Sequence, residues 1–227
     1  MSKILIKYPS RNRKEKFYDT LNKMKAMANN LNDIMFHFTI DDDEVDLYFI
    51  ETLGGKSNNK IHAVNRDVPE SDWDILVVMS DDMVCITHGW DDIIRQDMNE
   101  NFPDTDGVLH YNDGNQKANV MTMSIIGRKY YKRDGYIYNP EYQSLWCDVE
   151  ATEVAHMRGK YKYMGDDIIL FAHHHPAWGF CLHDEQYRKT ESPYYWQKDR
   201  QVIENNRAKN YGLKENEIIN GFKYQNL

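Results

Sequence analysis

Two adjacent carboxylates, Asp81 and Asp82, follow directly after a short apolar run at residues 75–79. The run is rich in β-branched residues, which predicts a buried strand that ends where the acids begin. Open α/β sheets bind ligands beyond the carboxyl ends of their strands. Carboxylate oxygens at such a place can hold Mg²⁺ or Mn²⁺, and such a metal neutralises a diphosphate. The motif therefore predicts an enzyme that handles a nucleotide diphosphate, with a pair of ordinary loop acids as the alternative.

A second acidic cluster, residues 41–44, ends another apolar run. Packing like charges costs free energy unless a cation, a donor-rich ligand or solvent relieves the repulsion. A carboxylate of this cluster could accept hydrogen bonds from a base N–H or a ribose hydroxyl, and for Asp42 and Glu44 a solvated acidic loop is an equally good explanation. Between the two clusters, Lys60 and Asn65 lie five positions apart on a predicted helix. Both could reach toward one ligand, although an ordinary helix surface is the simpler explanation of Lys60 alone.

Three consecutive histidines, residues 173–175, follow a further apolar stretch. Side chains alternate along a strand, so His173 and His175 would share one face. Imidazole binds Mn²⁺ and other transition ions well. A metal-binding role for His173 or His175 is therefore favoured over aromatic filling at the edge of the core.

Two more carboxylates, Asp148 and Glu150, stand at the start of a predicted helix. The helix dipole favours acids there, and that is the simpler explanation when the two residues are taken alone. A carboxylate close to a bound electrophile can also act as the general base toward an acceptor hydroxyl. Both residues are therefore candidates for the catalytic base.

Strands and helices that alternate along the chain must position these side chains. The apolar pattern predicts strands at residues 3–8, 35–40, 73–79, 120–127 and 167–172, and helices at residues 17–31, 61–68, 90–98, 148–158 and from 192 onward. Asn12 and Glu15 resemble a capping box at the start of the first helix. The alternation predicts βαβ units and an α/β fold around a largely parallel sheet. No linker is evident, so we expect one domain over residues 1–227, with a C-terminal helical extension from about residue 190.

Composition excludes several other classes of protein. The 227 residues carry a formal net charge of −8, which argues against broad electrostatic gripping of nucleic acid. The three cysteines are widely spaced and form no C-x-x-C pair, so we expect a reducing cytoplasm. The N-terminal apolar run is too short for a signal peptide, and no run approaches the length of a membrane span.

Taken together and in order, these segments resemble a glycosyltransferase of the GT-A fold, close to the large family 2 group and to compact phage-type enzymes. The resemblance covers about residues 3 to 178. It implies a Rossmann-like αβα sandwich, with donor-contacting residues in the first strand and turn, the second acidic cluster, the following helix and the D-x-D region. These are Pro9, Ser10, Arg11, Arg13, Asp41, Asp43, Lys60, Asn65, Ser80 and Asp81.

The same resemblance assigns the chemistry. Ser80–Asp82 matches the D-x-D region, with Asp82 as the safer metal ligand. His173 or His175 resembles the late histidine that completes the coordination of Mn²⁺ or Mg²⁺. Asp148 resembles the catalytic base, with Glu150 as the other candidate.

The resemblance implies a metal-dependent transfer of a sugar from a nucleotide-diphosphate sugar, expected to be UDP-linked, to an acceptor hydroxyl with inversion. A glycan and the hydroxymethylated bases of phage DNA are the acceptors considered, and a phage-encoded enzyme would work in the host cytoplasm. A nucleotidyltransferase is an alternative, but the first turn, residues 9–13, lacks the glycine-rich phosphate loop expected of one. An inactive module that binds nucleotide sugars is the non-enzymatic alternative.

Overall fold

The structure is a computed structural model that describes residues 1–48, 50–70 and 72–220. The strands are β1 Ile4–Pro9, β2 Ile34–Thr39, β3 Ile75–Val78, β4 Met83–Cys85, β5 Val108–His110, β6 Ile125–Gly127, β7 Tyr161–Tyr163 and β8 Phe171–His173. The α-helices are α1 Lys14–Met27, α2 Lys60–Asn65, α3 Trp90–Asn101, α4 Arg128–Asp134, α5 Cys147–Met157, α6 Glu185–Thr190 and α7 Pro193–Ala208.

A six-stranded sheet with the order β2-β1-β3-β6-β5-β7 forms the centre of the molecule. β1 pairs in parallel with both β2 and β3, and β5 pairs in parallel with β7. β6 is antiparallel to its two neighbours, β3 and β5, so every strand of this sheet except β6 runs in one direction. The predicted α/β class with a mostly parallel sheet is confirmed.

Both faces of the sheet are buried, because side chains alternate along each strand. On β1, Ile4 and Ile6 face a core that contains apolar residues of α1 and α3. Leu5 faces the opposite core, which contains residues of α2, α4, α5 and α7. The layers are therefore helix, sheet and helix, as the sequence predicted. Among the described residues, no helix is long and apolar enough to span a bilayer.

A two-stranded ribbon separate from the central sheet joins the acidic motif to the histidine triplet. β4 pairs antiparallel with β8, and Met83 lies opposite His173. The backbone N–H of His174 donates to the carbonyl of Asp82 at 2.8 Å. This pairing brings the histidines beside the acidic motif, although about ninety positions separate them in the chain.

Several predicted element boundaries are wrong. The strand expected at residues 120–127 is regular only over Ile125–Gly127, and the strand expected at 167–172 begins at Phe171. The predicted capping box does not form: Arg13 precedes α1 and no side chain caps that helix. Asn12 has a φ of 56° and its backbone N–H donates to Glu44 Oε2 at 2.9 Å, so the turn is held by the second acidic cluster instead.

Candidate active site

A cleft of about 700 Å³ opens beyond the carboxyl ends of β1, β2 and β3. Its volume lies within the range of small-molecule and cofactor sites. Most residues singled out in the sequence line it, namely Pro9, Ser10, Arg11, Arg13, Asp41, Asp43, Lys60, Ser80, Asp81, Asp82, Asp148, His173 and His175. The fold therefore brings most of the predicted site residues together in one cleft. Asn65 and Glu150 are the exceptions, because they do not line it.

Asp82 is the carboxylate best placed to hold a cation. Its Oδ1 accepts a hydrogen bond from the Ser80 hydroxyl, and its Oδ2 accepts one from the Tyr187 hydroxyl at 2.7 Å. His173 Nε2 lies 3.5 Å from the same Oδ2. Burial works against the charged form, but His173, Ser80 and Tyr187 together hold the pKa of Asp82 below its usual range. Asp82 is therefore a partly buried anion at neutral pH.

Asp81 points the other way, into the core. Its Oδ1 accepts from the Tyr8 hydroxyl at 2.9 Å and its Oδ2 from the Ser10 hydroxyl at 3.0 Å. Burial raises the pKa of Asp81 to about 7, against the two hydrogen bonds. Both oxygens are engaged by strand β1 and the turn after it, so Asp81 helps to build the wall of the cleft.

The two candidate histidines differ in their hydrogen bonding. His175 Nε2 contacts Glu191 Oε1 at 2.6 Å, and its Nδ1 accepts from the backbone N–H of Ala177 at 3.2 Å. Neither of these nitrogens has a lone pair left for a metal. His173 instead faces Asp82, and although burial opposes it, the carboxylates of Asp113 and Asp82 raise the pKa of His173 to about 9.

Asp148 lies in the first turn of α5, at the cleft. Trp146, which immediately precedes α5, has a φ of 65°. A non-glycine residue in this left-handed region costs about 1 kcal/mol or more, and such strain often accompanies functional sites. Burial raises the pKa of Asp148, and the positive charge of Lys60 opposes that rise. A carboxylate of raised pKa in a cleft has the character of a general base.

Glu150, two residues after Asp148 on α5, lies in a different environment. It is 5% exposed and its Oε2 accepts from the Tyr142 hydroxyl at 2.7 Å. The amides of Asn139 and Asn206 complete its hydrogen bonds. Glu150 therefore joins α5 to its neighbours and does not face the cleft.

Asn65, like Glu150, makes its hydrogen bonds to a neighbouring segment and does not line the cleft. Its Oδ1 accepts from the backbone N–H groups of Ile137 and Tyr138, and its Nδ2 donates to the Tyr138 carbonyl at 2.6 Å. Asn65 thus fixes the segment that precedes α5. Lys60, at the start of the same helix, does line the cleft.

The outer part of the cleft is strongly charged. Arg11 donates to both oxygens of Asp43, at 3.0 and 2.7 Å, and also to Asp41. Arg13 donates to both oxygens of Asp184, and its guanidinium lies 3.9 Å from the centre of the Tyr187 ring. The two arginines are close to the acidic motif and each already has a carboxylate partner.

Sequence reasoning missed two important contacts. Tyr187, on α6, reaches Asp82 from 105 positions away, and Asp113 lies 3.4 Å from His173 Nδ1. No local pattern marks either residue, because both contacts depend on how distant segments pack.

A divalent cation fits the residues present, although few of them would bind it directly. In the described part of the chain, no group of three or more His, Cys, Asp or Glu side chains is arranged to hold a metal. Asp82 and His173 provide one carboxylate and one imidazole, which suit Mn²⁺. Sites that bind a metal together with substrate phosphates commonly use only one or two protein ligands. The pair fits a metal that arrives with a diphosphate.

Solved structures with a similar fold are glycosyltransferases of the GT-A type. A mannosyltransferase from Pyrobaculum calidifontis, in complex with GDP-Man and Mn²⁺, is 10% identical with a TM-score of 0.57, over 74% of this chain and 56% of that one. TarS of S. aureus, residues 1–349, is 11% identical with a TM-score of 0.57, over 75% and 60%. Drosophila β-1,4-galactosyltransferase 7, as a variant in complex with manganese, UDP-Gal and xylobiose, is 14% identical with a TM-score of 0.51, over 85% and 75%.

These similarities show that the chain has the GT-A fold, and they confirm the predicted resemblance at that level. The chain spans a little over half of the mannosyltransferase and of the TarS fragment. No protein-family profile and no curated protein sequence matches the chain.

Proposed function

We propose that the protein is a metal-dependent glycosyltransferase that moves a sugar from a nucleotide-diphosphate sugar to an acceptor hydroxyl, with inversion at the anomeric carbon. One observation carries the proposal: in a GT-A fold, Asp82, His173 and Asp148 converge on a single cleft from three separate parts of the chain. Similar folds have been solved with GDP-Man and Mn²⁺ and with manganese and UDP-Gal, which supports a nucleotide-sugar donor.

The donor would lie across the carboxyl ends of β1 and β2. The cluster of Arg11, Asp41 and Asp43 would meet the base and ribose, and Ser80 with Asp82 would lie near the diphosphate. Asp82 and His173 would hold Mn²⁺ or Mg²⁺, which when bound offsets negative charge on the leaving diphosphate. UDP is the nucleotide we propose to test first.

Asp148 would act as the base. It accepts the proton of the acceptor hydroxyl while that oxygen attacks the anomeric carbon, and the bond to the diphosphate breaks in the same displacement. A single base and a single in-line displacement invert the anomeric centre. The positive charge of Lys60 opposes the rise in the pKa of Asp148 and so favours the charged form that a base requires.

Paired variants test the two roles separately. Asp148→Asn is expected to lower the rate of sugar transfer by about 10²–10⁴-fold, the usual contribution of a general base, while Mn²⁺-dependent binding of UDP persists. Asp82→Asn is expected to lose that binding in titration calorimetry. Asp19→Asn changes an exposed acid on α1 and is expected to behave as wild type.

The acceptor is tested by a screen. Purified protein with several nucleotide sugars and Mn²⁺ is offered glycans, plain DNA and hydroxymethylated DNA, and the labelled product is followed. Transfer to any of them supports the enzyme, and transfer only to hydroxymethylated DNA supports the modified-base acceptor. Binding of a nucleotide sugar with neither transfer nor hydrolysis would instead support an inactive binding module.

A further inference from the structure

Asp113 is a buried carboxylate with no role in the proposed reaction as described above. It lies in the loop after β5 and is 4% exposed. Its Oδ1 accepts from the backbone N–H groups of Asn115 and Gln116, at 2.8 and 2.7 Å. Its Oδ2 accepts from the Thr122 hydroxyl at 2.8 Å. These contacts hold the carboxylate in one orientation.

That orientation directs Oδ2 at His173. The distance from Asp113 Oδ2 to His173 Nδ1 is 3.4 Å, and Nδ1 is buried with no hydrogen-bond partner among the described residues. The backbones are also joined, because the N–H of His173 donates to the carbonyl of Asp113 at 2.9 Å. On the other side of the ring, Nε2 lies 3.5 Å from Asp82 Oδ2. His173 thus stands between two carboxylates.

This arrangement determines which ring nitrogen of His173 keeps a proton. An ionised carboxylate only accepts hydrogen bonds, so Asp113 favours the form of His173 that carries a proton on Nδ1. Metal binding displaces the proton on Nε2, and a proton kept on Nδ1 then leaves the Nε2 lone pair on the side of Asp82 for the metal. Metal-binding histidines commonly donate their other N–H to a carboxylate, which fixes the ring and raises its basicity.

We propose that Asp113 is a positioning residue that holds Nδ1–H of His173 and so makes Nε2 a ligand for the cation of the cleft. The inference rests on the proposed metal site. It also goes beyond that site, because it makes the affinity for the metal depend on a residue that contacts neither the metal nor the donor.

A simpler account is that Asp113 only shapes its loop. Its Oδ1 contacts with two backbone amides are those of an ordinary turn-forming residue, and asparagine would serve equally well there. The two accounts separate in Asp113→Asn. Asparagine can keep its oxygen on the two amides, which places its NH₂ group toward His173. That group donates to Nδ1 and favours the proton on Nε2, which then cannot bind a metal.

The experiment measures Mn²⁺ binding directly, with Mn²⁺ alone and with Mn²⁺ plus inorganic pyrophosphate. Free Mn²⁺ is quantified by electron paramagnetic resonance, and electron spin echo modulation detects a nitrogen ligand on the bound ion. Asp113→Asn is expected to weaken binding by about 10–100-fold and to lose the nitrogen signal, as His173→Ala does. A role confined to the turn would change neither.

Asp106→Asn is the matched control. Asp106 is also a buried carboxylate, lies just before β5 and pairs with Arg133 and Lys160, so its loss tests a general effect on β5. It is expected to bind Mn²⁺ as wild type does. If Asp113→Asn does not fold, Thr122→Val removes only the hydroxyl that orients Oδ2, and it is expected to weaken Mn²⁺ binding.

The outcomes are distinguishable. If wild type shows nitrogen coupling and Asp113→Asn, or Thr122→Val in its place, keeps both coupling and affinity, the positioning role is overturned while the metal site stands. If wild type binds Mn²⁺ without nitrogen coupling, or binds none, the proposed metal site is wrong and the role of Asp113 falls with it.

Discussion

Asp81 and Asp82 are adjacent in sequence, yet the pKa values of their carboxyl groups shift in opposite directions. Neutral hydroxyls surround Asp81, and burial raises its pKa to about 7. Asp82 meets His173 in addition to hydroxyls, and its pKa stays below the usual range in spite of burial. The difference arises because, in the turn between β3 and β4, the two side chains meet different neighbours. Of the two acids, only Asp82 presents a fixed negative charge to the cleft.

The pH dependence of transfer tests the role assigned to Asp148. A base must be deprotonated, and burial raises the pKa of Asp148, so activity is expected to fall with decreasing pH at a pH above the ordinary value for aspartate. Lys60 opposes that rise. Lys60→Met should therefore move the acid limb of kcat/KM to higher pH.

Lys132→Met provides the control for that measurement, since it removes one positive charge from an exposed site on α4. Its acid limb should match that of wild type. An acid limb that does not move in Lys60→Met would contradict the assignment of Asp148 as the titrating base.

At the scale of elements, helix α7 supports the N-terminal end of α5. Asp199 is fully buried, and its carboxylate accepts from the backbone N–H groups of Gln143, Ser144 and Leu145, at 3.0, 2.7 and 2.8 Å. These amides belong to the segment that leads into α5 and Asp148. One side chain therefore joins a helix near the C-terminus to the base of the proposed reaction.

Removing this charge should destabilise the fold and disturb the site. Asp199→Asn is expected to lower the free energy of unfolding by about 2 kcal/mol or more, because a hydrogen bond to a charged group is worth about 1.5–3 kcal/mol. Urea denaturation measures the loss, and kcat is expected to fall as well. Glu204→Gln changes an exposed acid on the same helix and should stay within about 0.5 kcal/mol. Equal stabilities of the two variants would contradict the role of Asp199.

The elements also show what the sequence could and could not predict. β1 was predicted from the short polar–apolar alternation of residues 3–8, and β3 from its continuous apolar run. β4, β5 and β7 have only three residues each, too few for a periodic pattern, and were missed. The cleft residues from β1 to β3 were predictable because the carboxyl ends of parallel strands meet at one edge.

The second part of the site could not be predicted from local patterns. Tyr187 and Asp113 reach the cleft through contacts between distant segments, and neither lies in a recognisable motif. Glu150 and Asn65 matched the motif but face neighbouring segments of the fold. Sequence spacing gave no means to distinguish Asp148 from Glu150, because that depends on which face of α5 meets the cleft.

At the scale of the whole molecule, the central sheet contains an unusual cation. Lys7 is fully buried on β1 and its Nζ donates to the Arg66 carbonyl at 2.6 Å and to the Thr39 hydroxyl. Burial lowers the pKa of Lys7 to about 7 from an ordinary value of 10.5. Between these two values the unfolded chain binds the proton and the folded chain does not, so the free energy of unfolding should rise with pH.

Lys7→Met tests this dependence. The cost of a buried charge is fully present below pH 7 and disappears as the pH rises toward 10.5. The wild type should therefore gain stability from pH 7 to 9 relative to the variant, in which that gain is absent. Urea denaturation at several pH values measures both. Equal pH dependence in the two proteins would show that Lys7 keeps its proton when folded.

The central claim is that this GT-A fold is a metal-dependent glycosyltransferase, and release of nucleoside diphosphate tests it most directly. The protein is incubated with a panel of nucleotide sugars, with Mn²⁺ or with a chelator, and the diphosphate released is measured with and without the acceptor panel. We predict release from at least one donor, its loss with the chelator, and its loss in Asp82→Asn. Absence of release from every donor, or release that persists both with the chelator and in Asp82→Asn, would contradict the account.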